Sequence, residues 1–249
     1  IYDALSRLYA WAVLCGEMDV LDWVVLNQSL AHLRGALGEA LQAGGQQHLW
    51  LTLLDSWVQA VRRLVEDFQA SELRHELARG LHSRAQSHLA SGRILLARLD
   101  ADKAVTLLEV LVETQGRRDL RADLGRAHFL RATGDTAASD LSRSLQLFNE
   151  LLDEGRRDIR VELCATYARR ARLLLAAKQS GEALRSLSKA LEIQASLPPD
   201  GNFSQTLMLR AQLYQDEQQF DLALSDYDQA VRITPPNELG EIYLARAAC

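Results

Sequence analysis

The sequence predicts an all-α fold built from an array of helix hairpins. The main observation is an Arg-Ala pair that recurs inside apolar helical stretches, at Arg126-Ala127, Arg170-Ala171, Arg210-Ala211 and Arg246-Ala247. Strong helix formers dominate the composition, and the four prolines form two adjacent pairs, so helix breakers are confined to two places. No run of alternating β-branched residues indicates a strand.

The spacing of the Arg-Ala pairs indicates a structural repeat. If Ser91-Gly92 holds the same place earlier in the chain, successive small residues lie 35, 44, 40 and 36 residues apart. Periods of this length are typical of two-helix units, which bury their apolar faces by stacking on one another. Such an array indicates a binding protein rather than a catalyst.

The clearest unit carries a specific motif on both of its helical arms. The first arm reads Leu207-x-x-Arg210-Ala211-x-x-Tyr214, and the second reads Ala223-x-x-x-Tyr227-x-x-Ala230 before Pro235. Twelve residues separate Ala211 from Ala223, and the same interval separates Ala171 from Ala183 and Gly92 from Ala104. This pattern resembles the tetratricopeptide repeat, whose first helix carries a large, a small and an aromatic residue and whose second carries two alanines and an aromatic before a closing proline.

The resemblance implies a right-handed superhelical solenoid of antiparallel hairpins over residues 81–249. We count about four units, and the last one looks cut at the C-terminus. The unit that begins with Arg126-Ala127 is looser, because its second helix can be aligned on either Ala137 or Ala138. We expect residues 1–80 to form divergent, tryptophan-rich hairpins that either cap the array or dock on another domain.

The four tryptophans, Trp11, Trp23, Trp50 and Trp57, all lie in this N-terminal region. We interpret them first as core residues of divergent hairpins. The alternative is that part of this aromatic surface packs on a neighbouring domain, because large aromatic residues are enriched in interface cores.

The composition indicates where in the cell the protein is located and whether it spans a membrane. Three cysteines, an odd number without paired spacing, argue against a disulfide framework and favour a reducing, cytoplasmic location. We expect no membrane span, because Asp22 and Asn27 interrupt the most hydrophobic stretch. The chain begins at Ile1 rather than a methionine, so we expect it to be a piece of a longer protein.

The resemblance also predicts a partner-binding groove, since first helices line the concave face of tetratricopeptide arrays. The predicted groove residues are Arg93, Arg121, His128, Arg131, Arg169, Arg172, Gln212 and Gln215. Neighbouring guanidinium groups repel each other unless an anion is bound, and arginine binds carboxylates with two parallel hydrogen bonds. We therefore expect a protein or peptide partner with an acidic segment. The alternative is that these arginines are solvated or paired with acids of adjacent helices.

A second set of arginines is interpreted as structural. Arg126, Arg170 and Arg210 each precede the small residue of a first helix, and we expect Arg210 to contact Asp226 on the second helix. Their predicted role is to join the two helices of a hairpin.

The sequence offers no catalytic, cofactor-binding or metal-binding constellation. His75-Glu76 lacks a second histidine four residues on, and His82 and His88 have no ligand set around them. The glycines read as turns and not as a phosphate-binding loop. We therefore predict no catalytic residues, no cofactor and no metal, and we do not expect an enzyme.

Two functions remain open. The first is an interaction scaffold that holds an extended acidic segment of a partner in a basic groove. The second is the regulatory or sensor arm of a larger multidomain enzyme or transcriptional regulator, docked through its N-terminal helices. Single-stranded nucleic acid is disfavoured as a partner, because the pI is near 5.7 and the basic helices carry few aromatic residues on which bases stack.

Overall fold

The structure, a computed structural model, describes residues 34–67, 69–198 and 201–249. Within these ranges the fold is all-α, as predicted, and no strand occurs. Two tryptophans, Trp11 and Trp23, and the first part of the predicted tryptophan-rich region, residues 1–33, lie outside the described residues.

Helices follow one another along the chain, joined by short turns. The first described segment, residues 34–43, is helical. The helices that follow, in chain order, are α1 (Gln47–Glu66), α2 (Arg74–Ala90), α3 (Ile94–Glu109), α4 (Arg121–Arg131), α5 (Ala137–Asp153), α6 (Arg160–Ala176), α7 (Ser180–Gln194), α8 (Gly201–Asp216), α9 (Phe220–Ile233) and α10 (Leu239–Ala247). Single turns of 3₁₀ helix precede α2, α4, α5 and α10, and a π-helical turn, Val110–Thr114, extends α3.

The chain divides into two compact units. Unit 1 ends at Thr133 and contains α1 to α4, and unit 2 begins at Gly134 and contains α5 to α10. In each unit every helix packs on the next one along the chain, which is the arrangement expected of stacked hairpins. Residue 80 lies inside α2, which packs on both α1 and α3. That the N-terminal helices cap the array or dock elsewhere stays a prediction.

The predicted register of the first hairpin is wrong. Ser91 and Gly92 form the turn between α2 and α3, and the φ of Gly92 is +71°, a left-handed conformation that glycine adopts without strain. The pair at the expected place in the first helix is Arg84-Ala85, seven residues earlier. Seven residues are about two helical turns, so the shift leaves the apolar pattern almost unchanged and conceals the error.

Small residues at the hairpin crossings explain the recurring interval of twelve. Ala85 and Ala97, like the pairs of alanines in the later hairpins, are at most 2% exposed. Their lack of bulk lets the two helices of a hairpin approach closely. The repeated pairs with this spacing are Ala85 and Ala97, Ala171 and Ala183, and Ala211 and Ala223.

The two described tryptophans are core residues. Trp50 is 8% exposed and Trp57 is 3% exposed, both on the buried face of α1. Their burial agrees with the first interpretation given above. Among the described residues, no helix is long and apolar enough to cross a membrane.

Candidate partner-binding surfaces

An arginine clamp joins the two helices of two hairpins. In the last hairpin the Arg210 Nε and Nη2 groups donate to the two carboxylate oxygens of Asp226, each at 2.7 Å. This contact confirms the sequence prediction. The corrected register reveals the same clamp in the first hairpin, where Arg84 donates to both oxygens of Asp100 at 2.7 Å.

Unit 1 contains a cleft of about 330 Å³ with charged walls. We call it the charged cleft. Trp50 and Trp57 contribute an apolar side, and Arg34 lies over the Trp57 ring at 3.6 Å from its centroid. The charged and polar residues around it are Arg34, Glu76, Arg79, His82, Ser83, Asp123 and Arg126.

The charges of this cleft are largely paired with one another. Asp123 accepts hydrogen bonds from Arg79 Nε at 2.9 Å and from Arg126 Nη1 at 3.2 Å. Glu76 lies 3.6 Å from the Arg34 guanidinium and 3.5 Å from that of Arg79. The cleft is therefore a network of ion pairs among three arginines and two carboxylates.

Burial and charge act against each other at Glu76. Burial would raise the pKa of its carboxyl group, but the hydrogen bond and charge of His75, together with Arg34 and Arg79, outweigh burial and hold the pKa below its usual value. Glu76 thus stays ionised in the cleft.

Burial dominates at His82. It lowers the pKa of this imidazole to about 4, while the nearby Asp123 raises it and Arg126 lowers it by smaller amounts. The Nδ1 atom is buried and has no hydrogen-bond partner among the described residues. His82 is therefore a neutral group at physiological pH.

The predicted groove residues of unit 1 do not form one exposed basic surface. Arg93 is exposed and occupies the N-cap position of α3, where its side chain makes no capping hydrogen bond. Its predicted place on a first helix followed from the shifted register. His128 is buried, with its side chain 4% exposed and its Nε2 atom 3.6 Å from Glu109, so it does not present a face to solvent. Arg121 donates to the carbonyl of Arg118, and Arg131 lies 3.4 Å from the His128 ring.

The predicted residues of unit 2 differ in their accessibility. Arg172 on α6 is exposed, and no described residue makes an ion pair with it. Arg169, one turn earlier, is half-buried, and burial lowers its pKa. On α8, Gln212 is exposed, whereas Gln215 donates to the carbonyl of Ala248 at 2.9 Å and accepts from Tyr227 at 3.3 Å. Gln215 therefore has a structural role in the last hairpin.

An apolar surface also appears at the start of α3. Its members, which we call the apolar patch, are Ile94, Leu95, Leu96 and Leu99, and they are 60%, 79%, 46% and 56% exposed. Adjacent exposed side chains of this size are typical of contact surfaces for other proteins. The sequence analysis did not anticipate this patch. With Gly92 aligned on Ala211, Leu95 takes the position of Tyr214, which is a packed position of the hairpin.

Comparisons with known proteins agree with the repeat pattern. Residues 204–237 match the family model described as Tetratricopeptide repeat. The chain resembles the tetratricopeptide-repeat family. No curated protein sequence matches it.

Solved structures show the same tetratricopeptide-like fold. BtubC (BKLC) from P. vanneervenii has a TM-score of 0.58 at 15% identity, with 81% of this chain and 82% of that chain covered. The apo form of RapI has a TM-score of 0.55 at 16% identity, covering 81% of this chain and 69% of that one. A variant of a Podosopora anserina putative kinesin light chain with nearly identical TPR-like repeats has a TM-score of 0.52 at 19% identity, covering 83% and 95%. At these identities the likeness concerns the fold alone.

Sequence reasoning missed most of the charged cleft of this tetratricopeptide-like array. With the register corrected, Arg79 takes the place in α2 that Arg121 takes in α4, six residues before the small residue. Among the described residues, no group of three or more His, Cys, Asp or Glu side chains is arranged to hold a metal ion.

Proposed function

We propose that the chain is a non-enzymatic interaction scaffold that binds an extended acidic segment of a partner protein. The single observation that carries the proposal is the exposed cation Arg172, which stands on a first helix of a tetratricopeptide-like array and has no ion-pair partner among the described residues. Arg169 lies three residues earlier on the same helix face. This face attracts carboxylates from a partner, whereas the arginines of the charged cleft in unit 1 are already paired with Glu76 and Asp123.

The proposal reassigns the predicted groove residues. Arg172, Arg169 and Gln212 form the proposed contact surface in unit 2. Arg121 and Arg131 of unit 1 are proposed as secondary contacts, because Arg121 also contacts the carbonyl of Arg118, and Arg131 contacts His128 and lies 3.9 Å from Asp102 on α3. Arg93, in a turn, and the buried His128 are left out of the contact surface.

The test compares Arg172→Glu with Arg232→Glu, an exposed arginine on the second helix α9. Partners captured from lysate by the unaltered chain are identified, and a fluorescent peptide of the bound segment is then titrated at several salt concentrations. We expect Arg172→Glu to weaken binding about tenfold and to flatten its salt dependence, because reversal replaces an attraction by a repulsion. The Arg232→Glu variant should bind like the unaltered chain.

Unchanged affinity and salt dependence in Arg172→Glu would refute the assigned face. Circular dichroism of both variants separates a loss of binding from a loss of folding.

The second candidate function is the regulatory or sensor arm of a larger multidomain enzyme or transcriptional regulator. The apolar patch on α3 favours it, because Leu95, at 79% exposed, is costly to leave in water. A photoreactive amino acid at position 95, in the protein as the cell makes it, tests this function. Crosslinks within one polypeptide would support an arm docked on its own protein, and crosslinks to another protein would support the scaffold.

A further inference from the structure

The hairpin formed by α6 and α7 keeps the clamp arginine but lacks its carboxylate. In the first and last hairpins the aspartate lies 16 residues after the arginine, from Arg84 to Asp100 and from Arg210 to Asp226. The residue 16 positions after Arg170 is Ser186. The alanines of this hairpin, Ala171 and Ala183, keep the usual interval of twelve and are fully buried. The alignment of this hairpin with the other two therefore needs no insertion or deletion.

In the two complete clamps the protein satisfies the guanidinium group from both sides. Besides the aspartate, Arg84 Nη1 donates to Asp55 at 3.0 Å, and Arg210 Nη1 donates to Ser188 at 3.2 Å. Both aspartates are at most 5% exposed. The position therefore suits a carboxylate held by two parallel hydrogen bonds, the strongest arrangement that arginine makes.

Nothing replaces that carboxylate in the α6–α7 hairpin. The Ser186 hydroxyl donates to the carbonyl of Glu182 at 3.0 Å and is thereby turned back on its own helix. Among the residues that the structure describes, no carboxylate lies within ion-pair distance of the half-buried Arg170. Arg170 thus departs from the structural role that the sequence analysis gave it.

The space beside Arg170 is a pocket of about 200 Å³ with a cationic lining. We call it the Arg170 pocket, and its lining residues are Tyr167, Arg170, Glu182, Arg185, Ser186 and Lys189. Three cations face a single carboxylate, and that carboxylate is 3.9 Å from Arg185 in an exposed pair of one helix. Exposed pairs of this kind bind weakly and leave the excess positive charge in place. The volume suits a single anionic group, because sites for larger ligands are several hundred Å³ in size.

We propose that the Arg170 pocket binds a carboxylate group from an aspartate or glutamate side chain of a partner protein. The carboxylate takes the place that Asp100 and Asp226 occupy in the other hairpins, with Arg170 as the bidentate donor. Arg185 and Lys189 attract it by charge. The site is additional to the Arg172 surface, and it does not depend on that surface being correct.

The proposal is tested by returning the missing carboxylate to the protein. In Ser186→Asp the new side chain should occupy the pocket, raise the melting temperature and compete with any external carboxylate. Ser186→Asn is the matched control, because it has nearly the same size and no charge. Acetate and inorganic phosphate are titrated at constant ionic strength while two NMR resonances are followed. The Arg170 Nε–H resonance is assigned with Arg170→Gln, and the backbone amide resonance of Leu187 reports binding in the variants that lack Arg170.

We expect saturable acetate binding that weakens at least tenfold in Ser186→Asp and less than twofold in Ser186→Asn. Arg170→Lys should bind severalfold more weakly, because it keeps the charge but loses the planar fork. A resonance that does not respond to acetate, or responds equally in Ser186→Asp, would overturn the proposal. Binding of phosphate but not acetate would overturn the choice of a carboxylate.

Arg172→Glu separates this site from the proposed scaffold surface. Its acetate titration at Arg170 should match that of the unaltered chain, whatever its effect on partner binding. Should Ser186→Asp lower the melting temperature, Arg170→Gln and Arg170→Lys still decide the outcome, because neither adds a group to the buried side of the hairpin.

Discussion

At the scale of single residues, the arginine before each small residue contributes differently from one hairpin to the next. Arg210 is bound at both ends of its guanidinium group, by Asp226 and by Ser188. Arg126 contacts Asp123 in its own helix. The residue 16 positions after Arg170 is Ser186, where the first and last hairpins have an aspartate. The same residue type therefore stabilises one hairpin and leaves a binding position in another.

Removal of the Asp226 charge should destabilise the protein strongly. Asp226→Asn leaves the Arg210 guanidinium, with its side chain only 19% exposed, without its anion. We expect the free energy of unfolding to fall by about 3 kcal/mol, because breaking one partner of a buried pair exposes the desolvation cost of the other. Urea unfolding measures this change through the transition midpoint.

Asp228→Asn is the control for that measurement. Asp228 pairs with Arg246 at 2.7 Å, but both side chains are nearly half exposed. We expect a loss of about 0.5 kcal/mol or less, because solvent screens exposed pairs. Equal losses in the two variants would contradict the interpretation of the clamp.

His82 should make the stability of the protein depend on pH between about 6.5 and 4. Burial lowers the pKa of His82 to about 4, whereas an unfolded histidine titrates near 6.5. As the pH falls through this window, the unfolded state takes up the proton first and the free energy of unfolding falls. Above this pH window, His82 is neutral in both the folded and the unfolded state, so it does not make the free energy of unfolding depend on pH.

The variant His82→Gln should lose part of this pH dependence. We expect its free energy of unfolding to fall less steeply from pH 6.5 to 5, by up to about 1 kcal/mol per pH unit. The charged groups around His82 are Arg34, Glu76, Arg79, Asp123 and Arg126, and they are unchanged in the variant. His48→Gln, at an exposed position of α1, is the control. Parallel pH profiles for His82→Gln and the unaltered chain would contradict the prediction.

At the scale of helices, close approach between α1 and α2 depends on a glycine. A Cβ atom at Gly80 would lie 3.0 Å from Val58 Cγ2 and 3.4 Å from the Trp57 ring. Gly80→Leu should therefore cost about 2 kcal/mol or more, because extra bulk in a packed contact forces the helices apart. Thermal or urea unfolding measures this cost.

The matched control is Gly181→Leu. A Cβ atom at Gly181, in the first turn of α7, meets no atom within 4 Å. We expect no loss of stability and a gain of up to about 1 kcal/mol, because leucine favours helix more than glycine does. A loss at Gly181 as large as that at Gly80 would contradict the prediction, because the cost at Gly80 could then not be assigned to its contact with Val58 and Trp57.

The sequence predicts helices more securely than their register. The Arg210-Ala211 hairpin is aligned correctly because aromatic residues and Pro235 mark it uniquely. Before residue 120 the apolar positions of α2 and α3 continue each other at helical spacing, so Ser91-Gly92 imitates a small residue within a helix. The left-handed turn at Gly92 is what distinguishes the two alignments, and the periodicity of apolar residues does not predict such a turn.

The candidate sites were harder to predict than the fold, for a physical reason. Charge pairing depends on residues far apart in sequence, such as Arg79 and Asp123, which the packing of α2 and α4 brings to 2.9 Å. The one long-range pair that was predicted, Arg210 with Asp226, lies within a hairpin whose two helices have a known register. The Arg170 pocket becomes visible only when three hairpins are compared in the correct register.

At the scale of the whole molecule, the chain divides into two compact units whose helices pack in sequence. Stability in such arrays is approximately a sum of contributions from single repeats and from neighbouring pairs. A local defect should therefore loosen its own unit first, because local opening needs only part of the global free energy. The two complete clamps provide matched defects, one in each unit.

Hydrogen exchange measured by mass spectrometry tests this division. We expect Asp226→Asn to speed amide exchange in α7 to α10 by up to about a hundredfold, since each 1.4 kcal/mol corresponds to a factor of ten. Exchange in α1 to α4 should stay within about threefold of the unaltered chain. Asp100→Asn should show the opposite distribution, because its carboxylate binds Arg84 in unit 1. If both variants accelerate exchange evenly over all described helices, the array unfolds as one cooperative body, and each clamp then stabilises the partner-binding surfaces of both units.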